Sequence, residues 1–251
     1  MAIQFTGGFS LSNVPPPTYY KFGSPRTLYD FTSADNYSNG TSVVKDVSGN
    51  GNNGTLINGT GAGTPSGMST YTTSSPGYVH LEQTQSIRTN SDGALLAGKQ
   101  SYTYLMWFKW YNWNGGGYPG IDGDGFEMVI NNDIAGYRIW HNRNGNYAML
   151  NFNGVTPGVP AFSTTKWYLW SCRYNGSTNT ASVDIFMDGT RYTVDVASSS
   201  SINYVGSPFR VGLRYNNWMN ADLNYYASYG SDIGTSGLQT IYDRTKSRFG
   251  Y

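Results

Sequence analysis

The chain has 251 residues and a net charge of +1, and only 12% of its residues are charged. This balance excludes the basic surface that a nucleic-acid or anionic-membrane partner requires. No run in the sequence approaches the ~18 apolar residues of a membrane-spanning helix. Aromatic residues reach 16%, with 22 Tyr, 7 Trp and 32 Gly, and such a composition favours twisted β-sheets with many turns over helices.

The first segment, Met1 to Thr27, has the composition of an extended arm. Apolar side chains near its start are followed by consecutive prolines, which force polyproline geometry. We interpret it as an assembly arm that docks on a neighbouring subunit, with a frayed terminus as the alternative. The residues that define the arm are Ile3, Phe5, Phe9, Pro15, Pro16 and Pro17. Met1 to Ser10 lacks a basic region followed by an apolar run, so we predict no secretory leader and expect synthesis in a cytoplasm.

A Gly- and Asn-rich turn follows the first short predicted strands, Leu28 to Phe31 and Ser42 to Val47. It runs from Asp46 to Leu56 as Asp-Val-Ser-Gly-Asn-Gly-Asn-Asn-Gly-Thr-Leu. Gly and Asn accept left-handed backbone conformations. The side chains of Asp46 and Ser48 can hydrogen-bond the backbone of their own loop. The sequence therefore predicts a tight, self-capped loop at this point.

The most apolar strand is predicted from Tyr102 to Tyr111. Alternation puts Trp107 and Lys109 on the same face, and the lysine indicates that this face is partly solvated towards the end of the strand. A shorter strand is predicted from Tyr78 to Leu81. We interpret His80 as a surface or hydrogen-bonded strand residue rather than as a ligand.

The clearest β-signal is the segment from Trp167 to Val196, which predicts three strands joined by two tight turns. Asn175 to Ser177 and Asp188-Gly189 supply the turns, because Asn, Asp and Gly tolerate the positive φ that a hairpin needs. Cys172 is the single cysteine of the chain, and we interpret it as a small core residue rather than as a nucleophile. Asp184 is interpreted as an acid on the strand surface.

Further elements are predicted on both sides of this segment. Three strands are expected before it and one after it, at Phe126 to Ile130, Tyr137 to His141, Ala148 to Phe152 and Asn220 to Tyr229. Apolar residues near the C-terminus recur at helical spacing. The sequence therefore predicts a short C-terminal helix that closes one edge of the fold, built on Leu238, Ile241, Tyr242, Thr245 and Phe249.

Two segments carry a family resemblance. The run YDFTSADNYSNGTSVVKDVSGNGNNGTLIN resembles the opening of laminin-G-like domains of the concanavalin A-like superfamily, and WYLWSCRYNGSTNTASVDIFMDG resembles a later part of that pattern. The resemblance covers residues 28–251. It implies one all-β domain, an antiparallel jelly-roll β-sandwich with an N-terminal extended arm and a short C-terminal helix.

The ending IYDRTKSRFG, taken with that opening, resembles the versions of this domain in virion structural proteins of tailed bacteriophages. The resemblance implies a non-enzymatic virion surface protein, a head decoration or a tail or fibre component, made in the host cytoplasm. Its implied partners are other virion proteins, reached through the arm or a sheet edge, further copies of the chain, and host surface glycans. A purely structural capsid or tail assembly protein that binds no glycan is the alternative.

Catalytic chemistry is not predicted. A glycan hydrolase, the third hypothesis, needs paired carboxylates across a cleft, and the family's glucanase branch places Glu-X-Asp-X-X-Glu along one strand. The nearest stretch here, Val183 to Asp188, lacks both glutamates. A Ser-His-Asp arrangement would use His80 or His141, and neither lies in a recognisable nucleophile context. We therefore predict that the chain is not an enzyme.

A carbohydrate-binding site is predicted in the loops, because aromatic faces stack on sugar rings while polar groups bind their hydroxyls. Trp107, Trp167 and Trp170 lie in strands and are assigned to the core. Subunit contact is an equal alternative for two of the loop residues, Trp113 and Trp218, because Trp also dominates protein interfaces. The candidate binding residues are Trp113, Tyr118, His141, Arg143, Tyr215, Asn216 and Trp218.

No cofactor is expected, and the sequence contains neither a phosphate loop nor a Cys/His metal cluster. One acidic stretch can supply oxygen ligands to calcium, namely Asp122, Asp124 and Glu127. These three residues supply too few ligands for a calcium site unless other residues contribute. An Asp-Gly turn with solvated acids is the favoured interpretation.

Overall fold

A computed structural model describes most of the chain with gaps. The described residues are 20–32, 36–37, 41–58, 71–72, 76–81, 85–89, 101–110, 128–129, 138–142, 147–151, 158–159, 163, 165–176, 180–197, 209–211, 213–214, 217–218 and 221–251.

Almost every described element is a β-strand, and one α-helix, α1 (Gly234–Thr245), follows near the C-terminus with a short 3-10 helix at Lys246–Phe249. In chain order the strands are β1 (Thr27–Asp30), β2 (Val43–Val44), β3 (Gly54–Asn58), β4 (Tyr71–Thr72), β5 (Tyr78–Leu81), β6 (Gln85–Thr89), β7 (Tyr102–Trp110), β8 (Met128–Val129), β9 (Arg138–Asn142), β10 (Tyr147–Asn151), β11 (Gly158–Val159), β12 (Trp167–Tyr174), β13 (Thr180–Met187), β14 (Thr190–Ala197), β15 (Phe209–Val211), β16 (Leu213–Arg214), β17 (Asn217–Trp218) and β18 (Ala221–Tyr229).

The strands form two main antiparallel sheets. The larger has eight strands in the order β14-β13-β12-β7-β18-β5-β4, with β1 also paired to β18. The smaller has five strands in the order β2-β3-β6-β15-β8. Two small sheets, β11-β10-β9 and β16-β17, complete the described strands. The predicted antiparallel β-sandwich with a short C-terminal helix is confirmed.

The inner layer of the core lies between the two main sheets. Leu56, Ile87 and Val211 pair in one row of the five-stranded sheet and are fully buried. Tyr29 of the eight-stranded sheet reaches this layer, since its hydroxyl donates to the carbonyl of Asn52 at 3.0 Å. Its ring also stacks on Tyr226 at 5.5 Å between centroids. The hydrogen bond to Asn52 therefore ties the eight-stranded sheet to the loop that leads into β3, whereas the stacking on Tyr226 is within the eight-stranded sheet.

The outer face of the eight-stranded sheet is covered by the C-terminal helix. Leu238, Ile241 and Tyr242 of α1 belong to one buried cluster with Trp107 and Phe186 of the sheet. The Trp107 indole nitrogen donates to the Thr245 hydroxyl at 2.7 Å, so this buried N–H group has a hydrogen-bond partner. The predicted helix is confirmed, but it lies across the central strands rather than along an edge.

The last residues of the predicted arm pack on the sandwich. Tyr20 and Phe22 are partly buried against the outer cluster, and the Phe22 ring meets Tyr229 edge-on at 6.5 Å. The Arg26 amide donates to the carbonyl of Ser228 at 2.7 Å. All six residues that defined the arm, from Ile3 to Pro17, lie outside the described residues.

The Gly- and Asn-rich turn is self-capped as predicted. The Asp46 carboxylate accepts hydrogen bonds from the amides of Leu28, Ser48 and Asn52 and from the Ser48 hydroxyl, at 2.7–2.9 Å. The Ser48 hydroxyl accepts in turn from the amide of Asn50 at 3.1 Å. One carboxylate therefore fixes the loop and the start of β1 together.

The three-stranded segment is also confirmed. Asp188 and Gly189 turn between β13 and β14 with φ of 50° and 82°, the positive values that a two-residue hairpin needs. Cys172 is buried, and burial, reinforced by the charge of Asp184, raises the pKa of its thiol. The thiol therefore stays protonated and belongs to the core.

The interpretation of Asp184 as a surface acid is wrong. Its side chain is fully buried, and its carboxylate accepts from Arg173 at 2.9 Å and from the Thr193 hydroxyl at 2.7 Å. Strand alternation alone suggested an exposed acid, but neighbouring strands supply partners whose hydrogen bonds offset the free-energy cost of burying it. Burial alone would lower the pKa of Arg173, but hydrogen bonds and charge from Asp184 and Asp232 outweigh it and raise that pKa.

Candidate functional site

The strand register brings the ends of four strands together at one end of the eight-stranded sheet. Ala221, which opens β18, pairs with Leu81 at the end of β5 and with Trp110 at the end of β7. Trp167, which opens β12, pairs with Lys109. The segments 111–127 and 219–220 are joined to the sheet at neighbouring positions, Trp110 and Ala221. We call this end of the sheet the loop end.

A histidine and a buried aspartate lie beside each other at the loop end. His80 of β5 and Asp222 of β18 are register partners, and the distance from His80 Nδ1 to Asp222 Oδ1 is 2.7 Å. The histidine side chain is 28% exposed, whereas that of Asp222 is 2% exposed. An ionised carboxylate can only accept, so Nδ1 donates and the ring is held in one orientation.

Local sequence explains why this pair points outwards. Val79 and Leu81 are fully buried in the core, so the alternation of β5 turns His80 towards the opposite, outer face. Lys109 of β7 is the register partner of Asp222 on its other side and is partly exposed. The loop end therefore presents an imidazole and an ammonium group on the two strands that flank β18, on either side of one buried carboxylate.

This arrangement suits binding by hydrogen bonds. An imidazole whose Nδ1 donates to Asp222 leaves Nε2 to accept from a sugar hydroxyl, and an ammonium group can donate to one, without any covalent step. The sequence indicated that His80 is a hydrogen-bonded strand residue, and that prediction is confirmed. It did not indicate that Asp222 is the partner, because the two residues are 142 positions apart and only strand pairing brings them together.

The predicted binding residues lie at or beyond the limits of the described chain. His141 is in β9, where it pairs with Ala148. Trp218 is in β17, paired with Leu213 in the small β16-β17 hairpin. The other five lie outside the described residues, namely Trp113, Tyr118, Arg143, Tyr215 and Asn216. The three strand tryptophans assigned to the core are buried, with Trp107 at 0%, Trp170 at 1% and Trp167 at 8% exposure.

The candidate calcium ligands Asp122, Asp124 and Glu127 also lie outside the described residues. Within the described part of the chain, no group of three or more His, Cys, Asp or Glu side chains is placed to hold a metal ion. The helix found in the same part, α1, is too short and too polar to cross a membrane.

Several solved structures share the fold. Domain 4 of AbnA, a GH43 extracellular arabinanase from Geobacillus stearothermophilus in complex with arabinotriose, superposes with a TM-score of 0.56 at 16% identity, covering 88% of this chain and 99% of the other. A Trypanosoma rangeli sialidase gives 0.57 at 11% identity, covering 90% of this chain and 33% of its own.

The binding domain of botulinum neurotoxin DC in complex with SialylT gives a TM-score of 0.52 at 10% identity, covering 88% of this chain and 51% of the other. This chain thus spans all of one relative but a third to a half of the others. At such identities the likeness concerns the fold alone, a β-sandwich. No protein-family model and no curated protein sequence matches the chain.

Proposed function

We propose that this chain is a carbohydrate-binding module without enzymatic activity, carried on the surface of a tailed-bacteriophage particle. The observation that carries the glycan-binding part is the fold shared with domain 4 of AbnA, a structure that contains arabinotriose. The superposition covers 99% of that domain. Because domain 4 of AbnA consists of this sandwich and little else, its complex with a sugar supports a binding role for the sandwich itself.

The register at the loop end supports a site there. Two segments that contain predicted sugar-stacking residues, 112–125 and 214–219, lead into or out of strands that pair at Trp110 and Ala221. Aromatic rings stack on the C–H faces of sugars, and polar side chains bind their hydroxyls. His80, oriented by Asp222, adds a partly exposed polar group at the same end. We assign glycan binding to this loop end.

The non-enzymatic part of the proposal is supported by the state of Asp184. It is the acid nearest to the glucanase pattern, yet it is fully buried and bound to Arg173 and Thr193. A carboxylate in that state reaches no glycosidic oxygen. Turnover of a surface polysaccharide by the purified chain would contradict this part of the proposal.

The virion part of the proposal is supported by the sequence resemblance of the opening and the ending of the chain. The arm or a sheet edge attaches the module to other virion proteins, and many copies on one particle make weak single sites sufficient through multivalency. Localisation to the particle is tested by mass spectrometry and antibody labelling of purified virions. A chain found only in the host cytoplasm would contradict it.

A structural assembly role without glycan binding is the second candidate. It is favoured by β14, an eight-residue strand that pairs only with β13 among the described strands. The free side of such a strand can add a strand of another subunit. Sedimentation of the purified chain and of a variant with Asp195→Pro in β14 distinguishes the two roles. Loss of an oligomer without loss of glycan binding would assign β14 to assembly alone.

The experiment that tests glycan binding uses a panel of host-type oligosaccharides, including arabinotriose, with two variants. We expect Trp113→Ala and Trp218→Ala to weaken binding about tenfold or more each, since a stacked aromatic contributes strongly to a sugar site. Tyr192→Ala is the matched control, because Tyr192 is a partly exposed aromatic on β14, three strands away from β7. Absence of binding by the wild-type chain to every glycan would refute the proposal.

A further inference from the structure

Two aromatic side chains meet above the central strands of the eight-stranded sheet. The ring centroids of Tyr78 in β5 and Trp167 in β12 are 5.9 Å apart. These strands are not neighbours, because β7 and β18 lie between them. Neighbouring strands are about 4.8 Å apart, so β5 and β12 are separated by roughly 14 Å and the two side chains lean towards each other over β7 and β18. We call this pair of rings the aromatic bridge.

The aromatic bridge lies on the outer face of the sheet, beside the His80–Asp222 pair. Val79 is fully buried in the core, so its neighbours Tyr78 and His80 both point to the outer face. One row of register partners crosses the sheet at the loop end, and its members are Trp167, Lys109, Asp222 and His80. Tyr78 is two residues from His80 on the same face, a spacing of about 7 Å along the strand. The aromatic bridge and the oriented imidazole therefore belong to one surface.

The two rings of the bridge have different surroundings. Trp167 is 8% exposed and packs on Phe249 at 4.8 Å between centroids. The carbonyl of Trp167 accepts from the Tyr251 hydroxyl at 2.7 Å. Tyr78 is partly exposed, and the angle of 59° between the two rings means that Trp167 does not cover its face as a parallel ring would. Trp167 is therefore the fixed support, and Tyr78 is the accessible ring.

The Tyr78 hydroxyl is accessible as well. Within the described part of the chain it makes no hydrogen bond, and it is not one of the buried polar atoms that lack a partner. A tyrosine ring offers a large flat contact at a low cost in conformational entropy. An exposed ring of this kind, supported by a buried tryptophan and placed next to an imidazole of fixed orientation, has the composition of a sugar-binding subsite.

The charges described around the bridge are balanced. Lys109 and Asp222 are register partners of opposite charge. The basic residues that precede Trp167 and Phe249 in the chain are also paired, Lys166 with Asp188 at 2.7 Å and Arg248 with Asp30 at 3.0 Å. A surface of paired charges gives no electrostatic preference for an anionic ligand. It therefore suits a sugar that carries no carboxylate.

We propose that Tyr78 is the stacking residue of the loop-end site and that it binds a neutral pentose or hexose residue. The C–H face of the sugar lies on the Tyr78 ring, and the adjacent imidazole of His80 binds one of its hydroxyl groups. This inference rests on the proposed glycan binding. It adds the residue on which the sugar stacks and the chemical class of the sugar.

The test measures glycan affinity by calorimetry at neutral pH. The neutral probes are arabinotriose, xylotriose, cellotriose and maltotriose, and trigalacturonate is the acidic probe. We expect the wild-type chain to bind at least one neutral probe, and Tyr78→Ala to weaken that binding about tenfold or more. Tyr78→Phe keeps the ring and should change the affinity by no more than about threefold, the size of one weak hydrogen bond.

Tyr192→Ala is the matched control, because Tyr192 is a partly exposed tyrosine on β14, at the opposite edge of the same sheet from β5 and β4. Its affinity should equal that of the wild-type chain. Tyr78→Leu keeps apolar bulk against Trp167 without an aromatic face. It should leave the thermal unfolding midpoint close to that of the wild type and still lose binding, which separates stacking from a loss of folding.

Proton NMR of the bound sugar adds a direct readout. A sugar that lies on the Tyr78 ring shows upfield shifts of its C–H protons and contacts to the Tyr78 ring protons, and both should disappear in Tyr78→Leu. Binding of neutral probes that is unchanged in Tyr78→Ala and Tyr78→Leu would refute this role of Tyr78 and leave the proposed function standing. Binding of trigalacturonate alone would overturn the assignment to neutral sugars. Absence of binding to any glycan would refute both this inference and the proposed function.

Discussion

Arg248 and Asp30, 218 positions apart in the sequence, form a two-point ion pair. Arg248 Nη1 lies 3.0 Å from Asp30 Oδ1, and Nη2 lies 3.0 Å from Oδ2. The Asp30 side chain is fully buried and that of Arg248 is 17% exposed. The pair joins the C-terminal 3-10 helix to β1, the first described strand of the chain.

We expect Arg248→Met to lower the free energy of unfolding by about 3 kcal/mol, because it leaves a buried carboxylate without its counter-charge. Urea unfolding followed by tryptophan fluorescence measures the effect. Lys246→Gln is the control, since the Lys246–Asp243 pair is solvent-exposed and its loss should leave the midpoint unchanged. Equal effects of the two variants would show that the Arg248 pair contributes no more than a surface contact.

The capped loop predicts a second stability effect. Asp46→Ala removes the acceptor of four hydrogen bonds, and we expect a loss of about 3 kcal/mol from the donors left unsatisfied. Asp188→Asn is the matched control, because Asp188 is an exposed turn acid with positive φ, which Asn also tolerates. Hydrogen exchange of the Leu28 amide should rise in Asp46→Ala alone. Unchanged protection would contradict the role of this carboxylate.

The His80–Asp222 pair predicts an energetic coupling at the loop end. Asp222→Asn should cost about 1–3 kcal/mol of stability, because the buried acceptor loses its charge-assisted bond. His80→Gln should cost less, since the histidine is partly exposed. A double-mutant cycle should give a coupling of at least about 0.5 kcal/mol. Strictly additive effects would mean that the two side chains do not act as a pair.

The His80→Gln variant also reports on glycan binding, with Lys246→Gln as its control. If His80 contributes to the loop-end site, His80→Gln weakens glycan binding while Lys246→Gln, at the C-terminal end of the chain, leaves it unchanged. Glycan affinity that is the same in all three proteins would place the binding site away from His80.

Buried phenols and the buried thiol predict a loss of stability in alkali. Burial raises the pKa of Tyr37 to about 12 and also raises those of Tyr225, Tyr229 and Cys172. Between the ordinary pKa of each group and its raised value, the folded state holds a proton that the unfolded state has released. The free energy of unfolding that these groups contribute is therefore fully present below about pH 8.5, near which the thiol of the unfolded chain ionises. It falls as the pH rises through about 10 and above.

Urea midpoints measured across that range, with phenolate absorbance recorded in parallel, check this expectation. Cys172 should react with a thiol reagent only after unfolding, because its thiol is both buried and protonated. A midpoint that stays constant up to about pH 11, or rapid labelling of the native protein, would contradict it.

The sequence by itself determined the fold class and the local elements. Alternation predicted the strands from Tyr102 and from Trp167, the dipeptide Asp188-Gly189 predicted the hairpin, and helical spacing predicted α1. Asp46 and Ser48 were identified as caps of their own loop. All of these depend on contacts between residues that are near each other in the chain, and local sequence encodes such contacts directly.

Tertiary structure alone decided the partners of the buried charges. His80 with Asp222 and Arg248 with Asp30 each join positions that are far apart in the chain. Alternation assigns a residue to a face of its strand but does not reveal what the adjacent strand places beside it. Asp184 was misinterpreted for that reason, because an acid that local sequence puts on the surface is buried when neighbouring strands supply an arginine and a hydroxyl.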